Sequence, residues 1–170
     1  ELEAKLKEME QQLEDAHAAS ERAISRAQQT KSGHVYVISN IGAFGEGIYK
    51  IGMTRRLDPM DRIWELSDAS VPFDFDVHAV IYTDDAPGLE SELHKRFGDR
   101  RLNLVNERKE FFHATIEEIA EIVRERCGDI ELTLMAEASE FFQSEAQRRS
   151  QGLPLIVSRY TGNSFAGSQA

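Results

Sequence analysis

Apolar and polar positions divide the chain into segments of different period. Over residues 1–31, Leu2, Leu6, Met9, Leu13, Ala16, Ser20, Ala23 and Ala27 recur at alternating spacings of four and three, flanked largely by Glu, Lys, Gln and Asp. This heptad pattern predicts a helix. It reads either as the end of a longer dimerising coiled coil or as a single helix leaning on the central domain. The coil weakens toward its end, where the seam holds only alanines and a serine. The period then changes. Gly33 to Ile38 and Ile48 to Gly52 are rich in β-branched and aromatic residues and predict two strands. Gly42, Gly45 and Gly47 lie between them and give the connection turn chemistry, so the pair reads as a hairpin. A third strand is expected from Phe73 to Tyr82. Its pattern alternates at first and then becomes continuously apolar, which suggests a central position in the sheet.

Helix signals punctuate the rest. Asp58-Pro59 supplies an N-cap and a first-turn proline ahead of Met60, Ile63, Trp64 and Leu66. Asp84-Asp85-Ala86-Pro87 opens a helix with Leu89, Leu93 and Phe97 on one face and Gly98 past its end. Residues 99–109 form a basic connection. Thr115 and Glu118 make a capping box for a helix from Ile116 to Arg126, closed by Gly128. One more helix is expected over 131–150, and the tail from Gly152 lacks periodicity. The expected fold is α+β: a small three-stranded antiparallel sheet flanked by helices, behind an N-terminal coiled-coil helix. The expected divisions are 1–31 for that helix, 32–128 for the central domain, 129–150 for a helical extension and 151–170 for a loose tail.

Composition changes this picture in two respects. Of the 170 residues 41% are hydrophobic, enough for one real core, and the net charge of −10 argues superficially against a nucleic-acid partner. The acid is concentrated elsewhere, however: residues 115–150 carry nine acidic and four basic side chains. Within the central segment the basic residues cluster as Arg55, Arg56 and Arg62, then Lys95, Arg96, Arg100, Arg101, Arg108 and Lys109. Local clusters set the field that a phosphate backbone meets. There is no apolar run long enough to span a membrane and no signal-peptide pattern, and the single Cys127 forms no internal disulfide, so a cytoplasmic setting is expected. The chain opens on Glu1, which suggests a piece of a longer protein, and an upstream anchor stays open. A zinc ribbon, a P-loop, G-x-S-x-G, H-E-x-x-H and a dinucleotide fingerprint are all absent.

The ordered set His34-Val35-Tyr36, Tyr49-Lys50-Ile51-Gly52, Arg62, Glu90-Ser91-Glu92-Leu93-His94 and Glu110-Phe111-Phe112 resembles the GIY-YIG nuclease family. It is most similar to the phage- and prophage-associated branch with lysine in the second motif. The resemblance spans about residues 33–115. It implies hydrolysis of DNA phosphodiester bonds with Mg²⁺, or Mn²⁺, and a role in phage–bacterium conflict. On this reading Tyr36, Lys50, Arg62 and Glu90 are catalytic, and Glu90 is the metal-bearing carboxylate. His94, four residues along the same helix face, and Glu110 are auxiliary candidates, Glu110 as a buttress for Arg62 or Lys50. Arg55, Arg56, Lys95, Arg96, Arg100 and Arg101 would hold DNA.

The chemistry fits those residue types. Cleavage needs an activated water, charge neutralisation on the phosphate and help for the leaving oxygen. One divalent ion can serve the last two needs. A free phenol is a poor base near neutral pH, so Tyr36 would need a nearby cation, and Lys50 could supply it or contact the phosphate instead. Whether Tyr36 or metal-activated water is the base stays open. Strand alternation sends Tyr49 to the core and Lys50 to the site, and Gly52 is read as the residue that lets the strand turn tightly toward the helix. Two rival readings remain: a module that binds nucleic acid without cutting it, and an assembly protein whose coiled coil, a homo-oligomerising segment, is the working part.

Overall fold

The computed structural model describes residues 2–68, 70–129 and 137–155. The chain runs α1 (Leu2–Lys31), β1 (Gly33–Ser39), α2 (Ile41–Phe44), β2 (Ile48–Thr54), α3 (Pro59–Asp68), β3 (Asp76–Thr83), α4 (Ala86–Arg96), β4 (Phe111–His113), α5 (Ile116–Cys127) and α6 (Ser139–Ser150). A single 3-10 turn, Gly98–Arg100, follows α4. The class is the expected α+β, but the antiparallel sheet has four strands, in the order β3-β1-β2-β4. The fourth is the three-residue Phe111–His113, too short to show a period in the sequence.

The sheet is packed on both faces. On one, Val35, Val37, Ile51, Ala79 and Ile81 meet Leu89, Leu93 and Phe97 of α4 and its end, and Ile119 and Val123 of α5. On the other, Tyr36 and Ile38 pack with Ile63 of α3, joined by Val77 and Val80. β3 is therefore apolar on both sides while lying at an edge, not at the centre as its continuous pattern suggested. A bulge explains the broken alternation. The β1–β3 register slips between Val37 and Ile38, so Val77 and Val80, three residues apart, share one face. His78 is the extra residue, and its Nε2 lies 2.7 Å from the Ser39 hydroxyl.

The local signals act as read. Asp58 accepts from the Met60 N–H at 2.9 Å, Asp85 caps α4, and Thr115 with Glu118 forms the capping box of α5. The glycine-rich connection is more ordered than a plain turn. Asn40 caps the one-turn α2 and donates to the Phe73 carbonyl at 2.6 Å. The expected last helix is present from Ser139. Its expected first part, residues 131–136, and the tail from residue 156 lie outside the described residues. α1 does not lean on the domain: Leu2, Leu6, Met9 and Leu13 are all exposed, Leu2 at 85%. Among the described residues no helix is long and apolar enough to cross a membrane.

Candidate active site

The site forms where β4 stops. β2 pairs with β4 only from Ile48 to Lys50. At the next residue the Ile51 N–H still reaches the Glu110 carbonyl, at 3.1 Å. Beyond that the chain of residues 102–109 has turned away, and side chains of α4 take the place of a strand. The His94 Nε2 lies 2.8 Å from the Ile51 carbonyl, and the Met53 backbone N–H is turned toward the Glu90 carboxylate, whose charged form it favours. A carbonyl only accepts, so Nε2 of His94 carries the proton and Nδ1 holds the ring's lone pair. α4 thus closes the edge of β2 with two polar residues one turn apart.

β1 contributes Tyr36, which is 2% exposed and directly opposite Gly52. The ring lies over the glycine: a Cβ on Gly52 would come within 2.6 Å of the Tyr36 Cζ. Gly52 is thus needed for close approach inside a strand, not for the turn read from the sequence. Burial pushes the Tyr36 phenol above its ordinary value of 10, and the Glu110 carboxylate adds to this, as Glu90 does more weakly. Arg62 lies against the phenol and pulls the other way. The expected cation at this position was Lys50. Instead, Lys50 is buried and its ammonium pairs with Glu110 at 3.1 Å, lying 5.2 Å over the Phe111 ring. Of the two roles left open for Glu110, it takes the lysine and not the arginine.

The acidic centre is strained electrostatically. Burial, with the neighbouring Glu110 carboxyl adding to it and Lys50 opposing, pushes Glu90 up to about 7. Burial also lowers His94, so the ring is neutral near pH 7. One ligand atom each from Glu90, His94 and Glu110 lies within 4.8 Å of the others. Two carboxylates and a neutral imidazole are a donor set that suits a divalent ion.

The six catalytic and auxiliary candidates therefore come together: Tyr36, Lys50, Arg62, Glu90, His94 and Glu110. The DNA-contact candidates do not form one free patch. Arg56 forks onto Glu65, with one arm at 2.9 Å. Arg96 pairs with Glu125 at 3.1 Å and Arg100 with Glu118 at 3.0 Å. Arg101 donates to the Glu107 carbonyl and covers Phe112. Arg55 and Lys95 are exposed, and neither has an acidic partner among the described residues. Phe111 is half-buried beneath Lys50, a role visible in sequence only once Phe111 and Phe112 are placed on opposite faces of a strand.

The sequence pattern of the T5orf172 domain matches residues 33–127, which run from the first residue of β1 to the last of α5. The chain belongs to the T5orf172 domain family. This domain occurs in phage-associated and homing-endonuclease-like proteins, and is compatible with a nuclease or DNA-binding role. All six grouped side chains fall within the T5orf172 domain, whereas α1 and α6 lie outside it. No curated protein and no solved structure matches the chain.

Proposed function

We propose that this T5orf172 domain is a metal-dependent endonuclease of the GIY-YIG type that hydrolyses DNA phosphodiester bonds. The observation that carries the reading is the convergence of Tyr36, Arg62, Lys50, Glu90, His94 and Glu110, from five separate segments, on one sheet edge. The donor set fits a hard divalent ion such as Mg²⁺ or Mn²⁺. Glu90 would hold it, with His94 and Glu110 within reach. When bound, such an ion neutralises charge on the phosphate and assists the leaving oxygen.

The remaining work belongs to the chain. The Tyr36 phenol stays protonated at neutral pH, because burial and two carboxylates hold its pKa up. It therefore orients the attacking water by hydrogen bonding and is not a ready phenolate. Arg62, beside the phenol, places a guanidinium fork where charge builds on the phosphate. Lys50 is fixed by Glu110 and supplies a second positive charge of set position. α1 presents its unpartnered Leu2, Leu6, Met9 and Leu13 to a second copy as a parallel coil. A role in conflict between phage and host fits the domain's setting.

Plasmid DNA incubated with the chain and Mg²⁺ or Mn²⁺ tests the reading. Nicked or linear product that disappears with chelator and in Glu90→Gln supports it. DNA binding with no cleavage under either metal would replace it with a binding module.

A further inference from the structure

The loop between the 3-10 turn and β4 has three features that the catalytic grouping does not use. Its feet are pinned. The Leu102 N–H donates to the Phe111 carbonyl at 3.0 Å, and Arg101 bridges to Phe112. Its tip is stiffened from within. The Asn103 side chain accepts from the Val105 and Asn106 N–H groups at 3.0 and 2.8 Å, and the Asn106 side chain accepts from the Arg108 N–H at 3.0 Å. What this braced tip presents is apolar: Leu104 is 71% exposed and Val105 97%, with Leu102 exposed beneath them. Asx bonding that fixes a loop only to hold two aliphatic side chains in water serves no core, since neither touches one.

The surroundings specify the occupant. Residues 100–109 hold Arg100, Arg101, Arg108 and Lys109 against one acid, Glu107, in a chain whose net charge is −10. Arg100 and Arg101 are tied down within the domain, but Arg108 and Lys109 are exposed and have no acidic partner among the described residues. The loop also runs straight into the site, because Glu110, the residue after Lys109, pairs with Lys50. Val105 and Glu110 are five positions apart, so the tip lies no more than about 18 Å from the site. That is about five base pairs along a duplex. An apolar tip flanked by free cations matches the way architectural proteins enter a DNA groove: the cations hold phosphates while aliphatic side chains part a base step.

We propose that residues 102–109 form a wedge, with Leu104 and Val105 entering a groove and loosening a base step within a few base pairs of the cut, while Arg108 and Lys109 grip the flanking phosphates. This rests on the reading of DNA as the substrate. Parting a base step bends and softens the duplex, which lets the scissile phosphate reach a site recessed at a sheet edge.

The test uses the full chain carrying Glu90→Gln, so that binding is read without cleavage. The probe is a short duplex with 2-aminopurine at successive positions. The Glu90→Gln protein should raise 2-aminopurine fluorescence at one or two adjacent steps. Adding Leu104→Ser and Val105→Ser should remove that signal and weaken binding roughly tenfold, with the salt slope unchanged. Arg108→Ala with Lys109→Ala should instead flatten the slope by about 1.8. Both tip residues are exposed, so circular dichroism should be unaltered. No fluorescence change at any position, or full affinity in the serine variant, overturns the wedge. So does an oligomer that the serine variant disperses, which would assign the tip to a second copy. If DNA is bound and unstacked but wild type never cuts it, the nuclease reading falls and the wedge stands.

Discussion

Replacing Glu90 by glutamine should stabilise the metal-free protein, and only above a particular pH. Glu90 has an ordinary value of 4.5 and is pushed up to about 7 in the folded chain, first by burial and then by Glu110. A carboxyl that holds its proton more tightly when folded contributes its full stability below about pH 4.5 and loses it as the pH rises through about 7. The full displacement would correspond to a ceiling of about 3 kcal/mol. The group is only half-buried and Lys50 is near, so solvent screening reduces this to about 1–2 kcal/mol. Glutamine keeps an acceptor for the Met53 N–H and carries no charge against Glu110. Thermal unfolding in chelator should therefore give equal Tm values for the two proteins near pH 4, with the gap opening as the pH rises toward 7. At pH 8 the variant should melt higher by about 5 °C or more for a domain of this size. Added Mg²⁺ or Mn²⁺ should raise the Tm of wild type at pH 8 and leave Glu90→Gln unmoved. Parallel curves for the two proteins across pH 5–8 would refute the picture of Glu90 as a strained, buried carboxylate beside Glu110.

Other consequences are equally open to measurement. Arg62→Ala should lower kcat by roughly 10²–10³ with little change in KM, because the guanidinium is assigned to charge that develops during the reaction; a loss confined to KM would make it a positioning contact. Tyr36→Phe should reduce kcat without moving the pH–rate profile below pH 10, since the phenol is held protonated there; a limb that vanishes in the variant would mean Tyr36 does act as the base. Gly52→Ala should displace the Tyr36 ring and cost both activity and stability, by about 1–3 kcal/mol as overpacking commonly does, read by chemical denaturation. Sedimentation should find a dimer that Leu6→Lys with Leu13→Lys disperses while cleavage persists; a wild-type monomer at micromolar concentration would leave α1 without its partner.

Much of this architecture is written in short-range signals. Asp58, Asp85 and the Thr115–Glu118 pair mark helix starts through hydrogen bonds made within three residues, so they were legible. The features that misled depend on partners far away in the chain. The apolar run of β3 indicated burial on both faces, and a bulge at His78 with helices on both sides supplied that at an edge position. β4 has three residues and is defined only by pairing with β2. The grouping of site residues was legible because motif order carried it. The division of labour among them was not, because Lys50 and Arg62 are equally cationic in sequence. Only the fold shows that Glu110 takes the lysine, while the arginine lies beside the tyrosine and reaches Glu65 at 3.5 Å. The basic cluster was likewise counted correctly, but its charge is partly cancelled by Glu65, Glu118 and Glu125 across separate elements.

The stretch of β2 from Ile51 to Met53 would be an open sheet edge if α4 did not cover it. Unpaired edges recruit other strands and seed aggregation. Here the ring of His94 occupies one backbone group and the carboxylate of Glu90 faces another, so the same two side chains guard solubility. Whatever chemistry the site performs, the chain needs an acceptor at position 90 and a donor at 94 to keep its sheet from pairing with a neighbour. Glu90→Ala should thus tend to self-associate as well as lose activity, whereas Glu90→Gln loses activity alone.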